Sequence, residues 1–311
     1  MLAVKLLQEQ GVEVTGITFV TPFFSAKNAK AAAEALKIPL TVKNITNEHL
    51  EMLLKPKHGY GSGMNPCIDC HSLMLKIAGK VMEEKSFNFI FTGEVLGERP
   101  MSQNKQSLHI VAKESGYAGY VLRPLSAKFL PETKPEKEGK VKREKLLDLS
   151  GRQRKRQLEM AKDYNIKDFP TPASGCRLTD PGFAGRLKDL IKREGKPDVE
   201  DIELLKSGRH IALDEKHKII VGRNKEDNTV LAAAKNGKFV LFAPRGIPGP
   251  YCMLPKELGG ELLDNAAKIC ASYCSGREGE KIVFREKGAK VGKEISAVYS
   301  KLNRPKEFVG T

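Results

Sequence analysis

The sequence predicts an α/β fold: a parallel sheet with helices on both faces, its first strand missing, followed by a small α+β domain. Three observations predict it. Helix and strand patterns alternate from the first residues through Ile45, which is how parallel sheets are built. Near residue 200 the pattern changes to short strands separated by turns. The chain also opens inside a helix, where a domain of this kind opens with a strand and a turn.

Taken in order, Leu2, Val4, Leu6 and Leu7 put an apolar stripe on a first helix that ends at Gly11. Val12 to Val20 is rich in β-branched residues and reads as a strand. Ala26 to Leu36 is a second helix, and Leu40 to Ile45 a second strand. A glycine-rich loop, His58 to Met64, leads into Asn65-Pro66-Cys67-Ile68-Asp69-Cys70 and a helix from Ser72 to Lys85; Pro66 suits its first turn. Phe87 to Phe91 is a buried strand ending in Thr92-Gly93-Glu94, and Val121 to Ser126 is another. Residues 131–156 are highly charged and net basic, a helix runs on to Tyr164, and a short one spans Phe183 to Ile191. Gly195-Lys196-Pro197-Asp198 marks a boundary. The expected domains are therefore 1–195, a linker over 196–205, and a module over 206–311. That module carries strands at 209–213, 218–224, 239–242 and 281–284 and a helix at 260–273.

The formal net charge of +15 favours a polyanionic partner, nucleic acid first. Tryptophan is absent and aromatics make up 6%, so broad base-stacking platforms are not the main mode. No window approaches the roughly twenty apolar residues of a membrane span. The N-terminus is charged too soon for a secretory signal, so a cytoplasmic location is expected. In a reducing compartment, six cysteines are ligands or catalysts more readily than structural disulfides.

Four motifs stand out: Asn65-Pro66-Cys67-Ile68-Asp69-Cys70; Phe91-Thr92-Gly93-Glu94 with Arg99-Pro100-Met101-Ser102-Gln103; Arg123-Pro124-Leu125; and Pro172-Ala173-Ser174-Gly175-Cys176. With them, residues 1 to about 195 resemble the PP-loop (adenine-nucleotide α-hydrolase-like, HUP-like) RNA-thiolating enzymes, the 4-thiouridine synthase (ThiI-type) and 2-thiouridylase groups. Residues from about 206, with Ile220-Val221-Gly222-Arg223-Asn224 followed by Asp227-Asn228, resemble the small RNA-binding module of NFACT-type proteins. The resemblance implies thiolation of a tRNA uridine: ATP with Mg²⁺ activates the carbonyl oxygen and sulfur displaces AMP. It implies tRNA and a sulfur donor, a cysteine desulfurase or free sulfide, as partners. The family's SGGxDS phosphate loop is absent from this chain, and the first helix matches the one that follows that loop. An N-terminally truncated copy is expected. The alternative is an RNA-binding or sulfur-carrier partner protein without ATP chemistry.

Cys67, Cys70 and Cys176 then have several readings. They could hold a [4Fe-4S] cluster, since such clusters take thiolates at this spacing. They could carry a persulfide and resolve it as a disulfide. They could bind zinc with His71 as a fourth ligand, or they could simply be buried. A thiol at a helix start lies near the positive helix end, which lowers its pKa. Thr92, Gly93 and Glu94 sit where α/β folds place ligands and are candidates for the nucleotide pocket; an ordinary strand-to-helix turn is the other reading. Arg99, Arg123 and Arg177 are candidates for holding phosphates. Arg152, Arg154, Lys155 and Arg156 are either RNA-backbone contacts or a solvated face. Arg223, Asn224 and Arg245 are RNA candidates in the module, against a plain tight turn. Cys252, Cys270 and Cys274 carry no ligand pattern; Cys270 and Cys274 share one helix face and read as core.

Overall fold

The computed structural model describes residues 1–169, 175–288 and 292–310. Pro172, Ala173 and Ser174 of the fourth motif lie outside the described residues. The chain divides into two compact units, Met1–Cys176 and Arg177–Thr311.

The first unit runs α1 (Leu2–Gln8), β1 (Gly16–Val20), α2 (Lys27–Leu36), β2 (Leu40–Asn44), α3 (Thr46–Leu54), α4 (Cys67–Glu84), β3 (Ile90–Phe91), α5 (Lys105–Ser115), β4 (Val121–Leu122), α6 (Lys134–Lys137) and α7 (Lys155–Asp163). β1 pairs with β2 in parallel, Gly16 opposite Leu40, and β3 with β4 in parallel, Ile90 opposite Val121. Among the described residues these are two separate two-stranded sheets, where one continuous parallel sheet was expected. The strands are short for local reasons. Ser86 takes a left-handed φ of 55° and the Phe87 amide donates back to the Met82 carbonyl, so the chain is still leaving α4 at Phe87. After Leu122 the chain turns, and the Ser126 amide donates to the Arg123 carbonyl. Every residue of β1 is half-buried, whereas a parallel strand covered on both faces is buried throughout.

The α1 stripe behaves as its periodicity predicts. Ala3, Leu6 and Leu7 pack with Val95, Leu122, Leu125, Val141, Leu146 and Leu149 in one core. A second cluster joins Leu75 of α4 and Val111 of α5 to Val121 of β4. α3 and α5 went unread in the sequence. α5 is opened by Asn104, whose side chain accepts from the Ser107 amide, and closed by Gly116 in the left-handed region.

The second unit runs α8 (Pro181–Glu194), α9 (Val199–Leu204), β5 (Arg209–Ala212), β6 (Lys218–Val221), α10 (Lys225–Ala233), β7 (Phe239–Pro244), β8 (Cys252–Pro255), α11 (Gly260–Ser272), β9 (Lys281–Glu286) and β10 (Glu294–Val298). Its strands form one antiparallel sheet in the order β10-β9-β7-β8-β6-β5. β6 shows why Lys-Ile-Ile-Val is a nearly continuous apolar run. Ile219 and Val221 pack in the core that includes Ala266, Ile269 and Cys270 of α11, while Ile220 points the other way, to Leu204 and Leu231.

α8 and α9 count with this second unit, whereas the sequence pattern ended the first domain at 195 and made 196–205 a linker. Two side chains of α8 explain it. Arg186 Nε donates to the Leu205 carbonyl at 2.9 Å, and Arg193 Nη1 to the Asp214 carbonyl at 3.0 Å. Gly195 is the turn between the two helices. Cys252, Cys270 and Cys274 are all buried in the α11 core, which agrees with the packing expectation for the last two. Burial pushes the Cys274 thiol up to about 12, with Cys270 adding to it. His210, fully buried on β5, turns its Nε2 to the Leu204 and Ser207 carbonyls at 3.2 and 3.1 Å. No helix among the described residues is long and apolar enough to cross a membrane.

Candidate functional site

The first unit gathers its chemistry at the N-terminal end of α4. Pro66 is the N-cap residue there, one position earlier than the first-turn place read for it, and Cys67 is the first helical residue. The glycine loop prepares this start. The Asn65 side-chain oxygen accepts from the Gly63 amide at 3.0 Å, and its nitrogen donates to Cys67 Sγ at 3.2 Å. A Cβ on Gly61 would lie 2.5 Å from that Asn65 nitrogen, so a larger residue there would push the Asn65 side chain off Gly63 and Cys67.

Cys70 lies one turn further on, half-buried, with its sulfur 3.5 Å from His49 Nε2. Burial pushes the Cys70 thiol well above its ordinary value, and negative charge on Cys176, Cys67 and Asp69 pushes it further. This corrects the expectation that the helix end lowers the thiol's pKa: for Cys70 desolvation outweighs the helix end. All three sequence-predicted cysteines are thus close enough to interact electrostatically, with Cys67 and Cys176 both acting on Cys70.

His49 is a residue that sequence reasoning missed. It sits on α3 with no exposed surface, its ring 5.4 Å from the rings of both Phe23 and Phe24, the latter edge-on. Burial lowers its pKa to about 4, so it is neutral at pH 7. Its Nδ1 is buried without a hydrogen-bond partner. Cys70 and His49 thus meet as a neutral thiol and a neutral imidazole, the sulfur lying within a weak hydrogen bond of the ring.

The strand-end residues have a different role. Glu94 receives Arg123 Nε at 2.9 Å and the Thr92 hydroxyl at 2.9 Å on one oxygen, and His71 Nδ1 at 3.2 Å on the other. Burial pushes the Glu94 carboxyl up. The His71 hydrogen bond, the Arg123 guanidinium and the Thr92 hydroxyl outweigh burial and hold it down at about 2. Arg123 is itself buried and also donates to the Leu108 carbonyl at 3.2 Å. Glu94 therefore ties the end of β3 to α4 and β4. Arg123 spends Nε on Glu94 and Nη2 on the Leu108 carbonyl, and His71 is turned to Glu94 by one ring nitrogen. Gly93 stands open, with nothing within 4 Å of where a Cβ would be.

Next to this lock, His58, Asp69 and Glu114 offer ligand atoms within 4.8 Å of one another. Each is already engaged. Asp69 accepts the Lys57 and His58 amides, and Glu114 pairs with Lys57 and with His58 at 3.0 Å. The group fastens the loop to α4 and α5.

Arg152, Lys155 and Arg156 are exposed around the start of α7, Arg154 is its half-buried N-cap residue, and Arg156 pairs with Asp148 at 2.8 Å. In the second unit, Asn224 caps α10 by accepting the Asp227 amide at 2.8 Å, and Arg223 holds Asp227 through two bonds of 2.6 and 3.1 Å. Both therefore have a structural role at the tight turn. Arg245 is exposed and reaches Glu294 at 3.4 Å.

Residues 208–304 match a family model described as the NFACT protein RNA binding domain. No curated protein matches the chain. Among solved structures, the C-terminal part of the fibronectin/fibrinogen-binding protein from Streptococcus suis is similar at 15% identity. That likeness covers 39% of this chain and 66% of that chain, with a TM-score of 0.28. The family match falls on the sheet that begins at β5.

Proposed function

We propose that this protein binds RNA through its second unit. The observation that carries the reading is the match of residues 208–304 to an RNA-binding family. The net charge of +15 agrees with it, because neutralised phosphates release counterions and drive such binding. The test is fluorescence anisotropy of a labelled tRNA transcript titrated with the full chain. Binding should weaken steeply as salt is raised; no binding at low salt would overturn the reading.

The gathering of Cys67, Cys70 and Cys176 favours a second, finer reading: sulfur handling on that RNA, as in tRNA uridine thiolation. The donor set fits a [4Fe-4S] cluster, which takes thiolates and would supply an open iron position. Without a cluster the same thiols carry a persulfide, one holding the sulfur and another resolving it as a disulfide. The residues past β3 do not fit a nucleotide phosphate site. Both Glu94 oxygens are engaged, one by Arg123 and Thr92 and the other by His71, so no adenylation step with ATP and Mg²⁺ follows from these side chains. Incubation of the full chain with a cysteine desulfurase and cysteine should add one sulfur atom on Cys67, Cys70 or Cys176, read by peptide mass spectrometry. Neither added sulfur nor bound iron after anaerobic reconstitution would end the sulfur reading and leave RNA binding untouched.

A further inference from the structure

The second unit contains a cluster of guanidiniums that extends beyond the matched module. Its centre is the turn between α9 and β5. Arg186 of α8 donates to the Leu205 carbonyl at 2.9 Å on one side of that turn. Arg209, at the turn's end, donates from Nη1 to the Gly222 carbonyl at 3.1 Å, one residue before Arg223. Asp227 closes the arrangement by accepting the Arg223 amide and side chain and the Gly208 amide. Arg209 also lies over the Tyr273 ring at 4.7 Å. Arg304 lies over the same ring at 5.1 Å, and its Nε is fixed on the Ser272 carbonyl at 2.8 Å. Arg177, exposed at the start of the unit, lies close enough for its charge to act on Arg186.

Like charges do not gather without a reason. Burial pushes Arg186 below its ordinary value; Asp180 opposes this, and the positive charges of Arg223 and Arg177 add to it. Asp227 is bonded to Arg223, and Asp180 is occupied in capping α8 by accepting the Phe183 amide. The guanidiniums of Arg186, Arg209 and Arg304 each spend Nε or one Nη on a backbone carbonyl. Each keeps further N–H groups in a planar fork, which is the geometry that meets a phosphate with two bonds. Holding Arg209 and Arg304 on one aromatic ring fixes those forks in advance, so little side-chain freedom is lost on binding.

We propose that Arg177, Arg186, Arg209, Arg223 and Arg304, with Tyr273 as their support, form a docking site for the phosphate backbone of RNA. The inference rests on the RNA-binding reading and sharpens it in one respect. Arg177 and Arg186 precede the matched residues 208–304, so the RNA footprint reaches from the sheet onto α8. Phosphate contacts set affinity and register rather than base choice, so the site predicts binding that depends strongly on salt and weakly on sequence.

The test measures how log K falls with log salt concentration, by anisotropy on the full chain with one tRNA transcript. Each phosphate that is no longer neutralised lowers that slope by about 0.7 to 0.9. The exposed residues Arg177 and Arg304 are changed together to glutamine. The comparison protein carries Lys216→Gln in the β5–β6 turn and Lys256→Gln just after β8, the same charge change elsewhere on the unit. The arginine pair should lower the slope by about 1.5 and weaken binding about tenfold or more at physiological salt, while the lysine pair leaves the slope within about 0.3. Arg177→Lys with Arg304→Lys should keep most of the slope, which separates charge from folding. Equal slopes for the two glutamine pairs would overturn the site while RNA binding stands. A chain that binds no RNA even at low salt would remove the parent reading, and the site with it.

Discussion

Replacing Arg123 by methionine is expected to destabilise the first unit by about 3 to 5 kcal/mol, the range for breaking a buried ion pair from one side. The cost comes from what is left behind. Glu94 stays buried and ionised, with the Thr92 hydroxyl and the His71 ring as its remaining partners. For a unit of this size the thermal midpoint should fall by roughly 10 °C. The double substitution Arg123→Met with Glu94→Gln should recover more than half of the loss, because a neutral amide needs no countercharge and still bonds Thr92. A single-variant loss below about 1 kcal/mol would show that the pair does not lock β3 to β4. The pH dependence has a definite sign. The folded pKa of Glu94, about 2, lies below its ordinary 4.5, so its contribution is complete above 4.5 and is lost as pH falls toward 2. The gap between wild type and variant should therefore be constant near neutrality and shrink below about 4.5.

The second large effect is expected at Gly79, in the middle of α4. Alanine there would ordinarily help, since it is about 1 kcal/mol better than glycine inside a helix. Here a Cβ would sit 2.0 to 2.4 Å from three carbons of the Tyr117 ring. The ring has little room to retreat: it packs in the cluster of Leu75, Val111 and Val121, and its hydroxyl bonds Glu83. Overpacking of this kind costs about 1 to 3 kcal/mol, occasionally more, and exceeds the helix gain at such short distances. Gly79→Ala should therefore lower stability by about 2 kcal/mol net, measured by chemical denaturation. Tyr117→Leu in the same chain should relieve most of the clash, giving strong non-additivity. A Gly79→Ala protein as stable as wild type would mean that α4 and Tyr117 pack more loosely than the structure shows.

What the sequence revealed and what it hid divide along physical lines. α1, β1, α2 and β2 were legible because each carries its own apolar period, and the helix of Cys67 and Cys70 because its start has a proline and a thiol motif. β8, Cys-Met-Leu-Pro, was not legible: four fully buried residues show no alternation and end in a proline. α5 was hidden by its low apolar content; only the Asn104 cap and Gly116 announce it. The continuous parallel sheet was overestimated, because Phe87 looks like strand yet is still leaving α4, and β3 begins only at Ile90. At the site, the thiols were visible and their surroundings were not. Glu94 meets Arg123 across 29 residues and His71 across 23, and His49 reaches Cys70 from another helix. The arginine cluster was half visible: Arg223 lay in a motif, whereas Arg186, Arg209 and Arg304 converge only through the turn after α9 and the ring of Tyr273.

Each unit also keeps one histidine away from water, His49 in the first and His210 in the second, and this couples their integrity to acidity. Burial holds their folded pKa values at about 4 and about 3, with Lys218 and Arg186 adding to the effect on His210. An unfolded histidine takes up its proton near 6.5. The stabilisation from keeping these rings neutral is therefore complete above 6.5 and declines as pH falls toward the folded values. Mild acid acts on both units before it reaches the carboxylates: unfolding either one becomes a proton-uptake reaction, in the first at the ring that faces Cys70 and in the second at the strand that begins with Arg209.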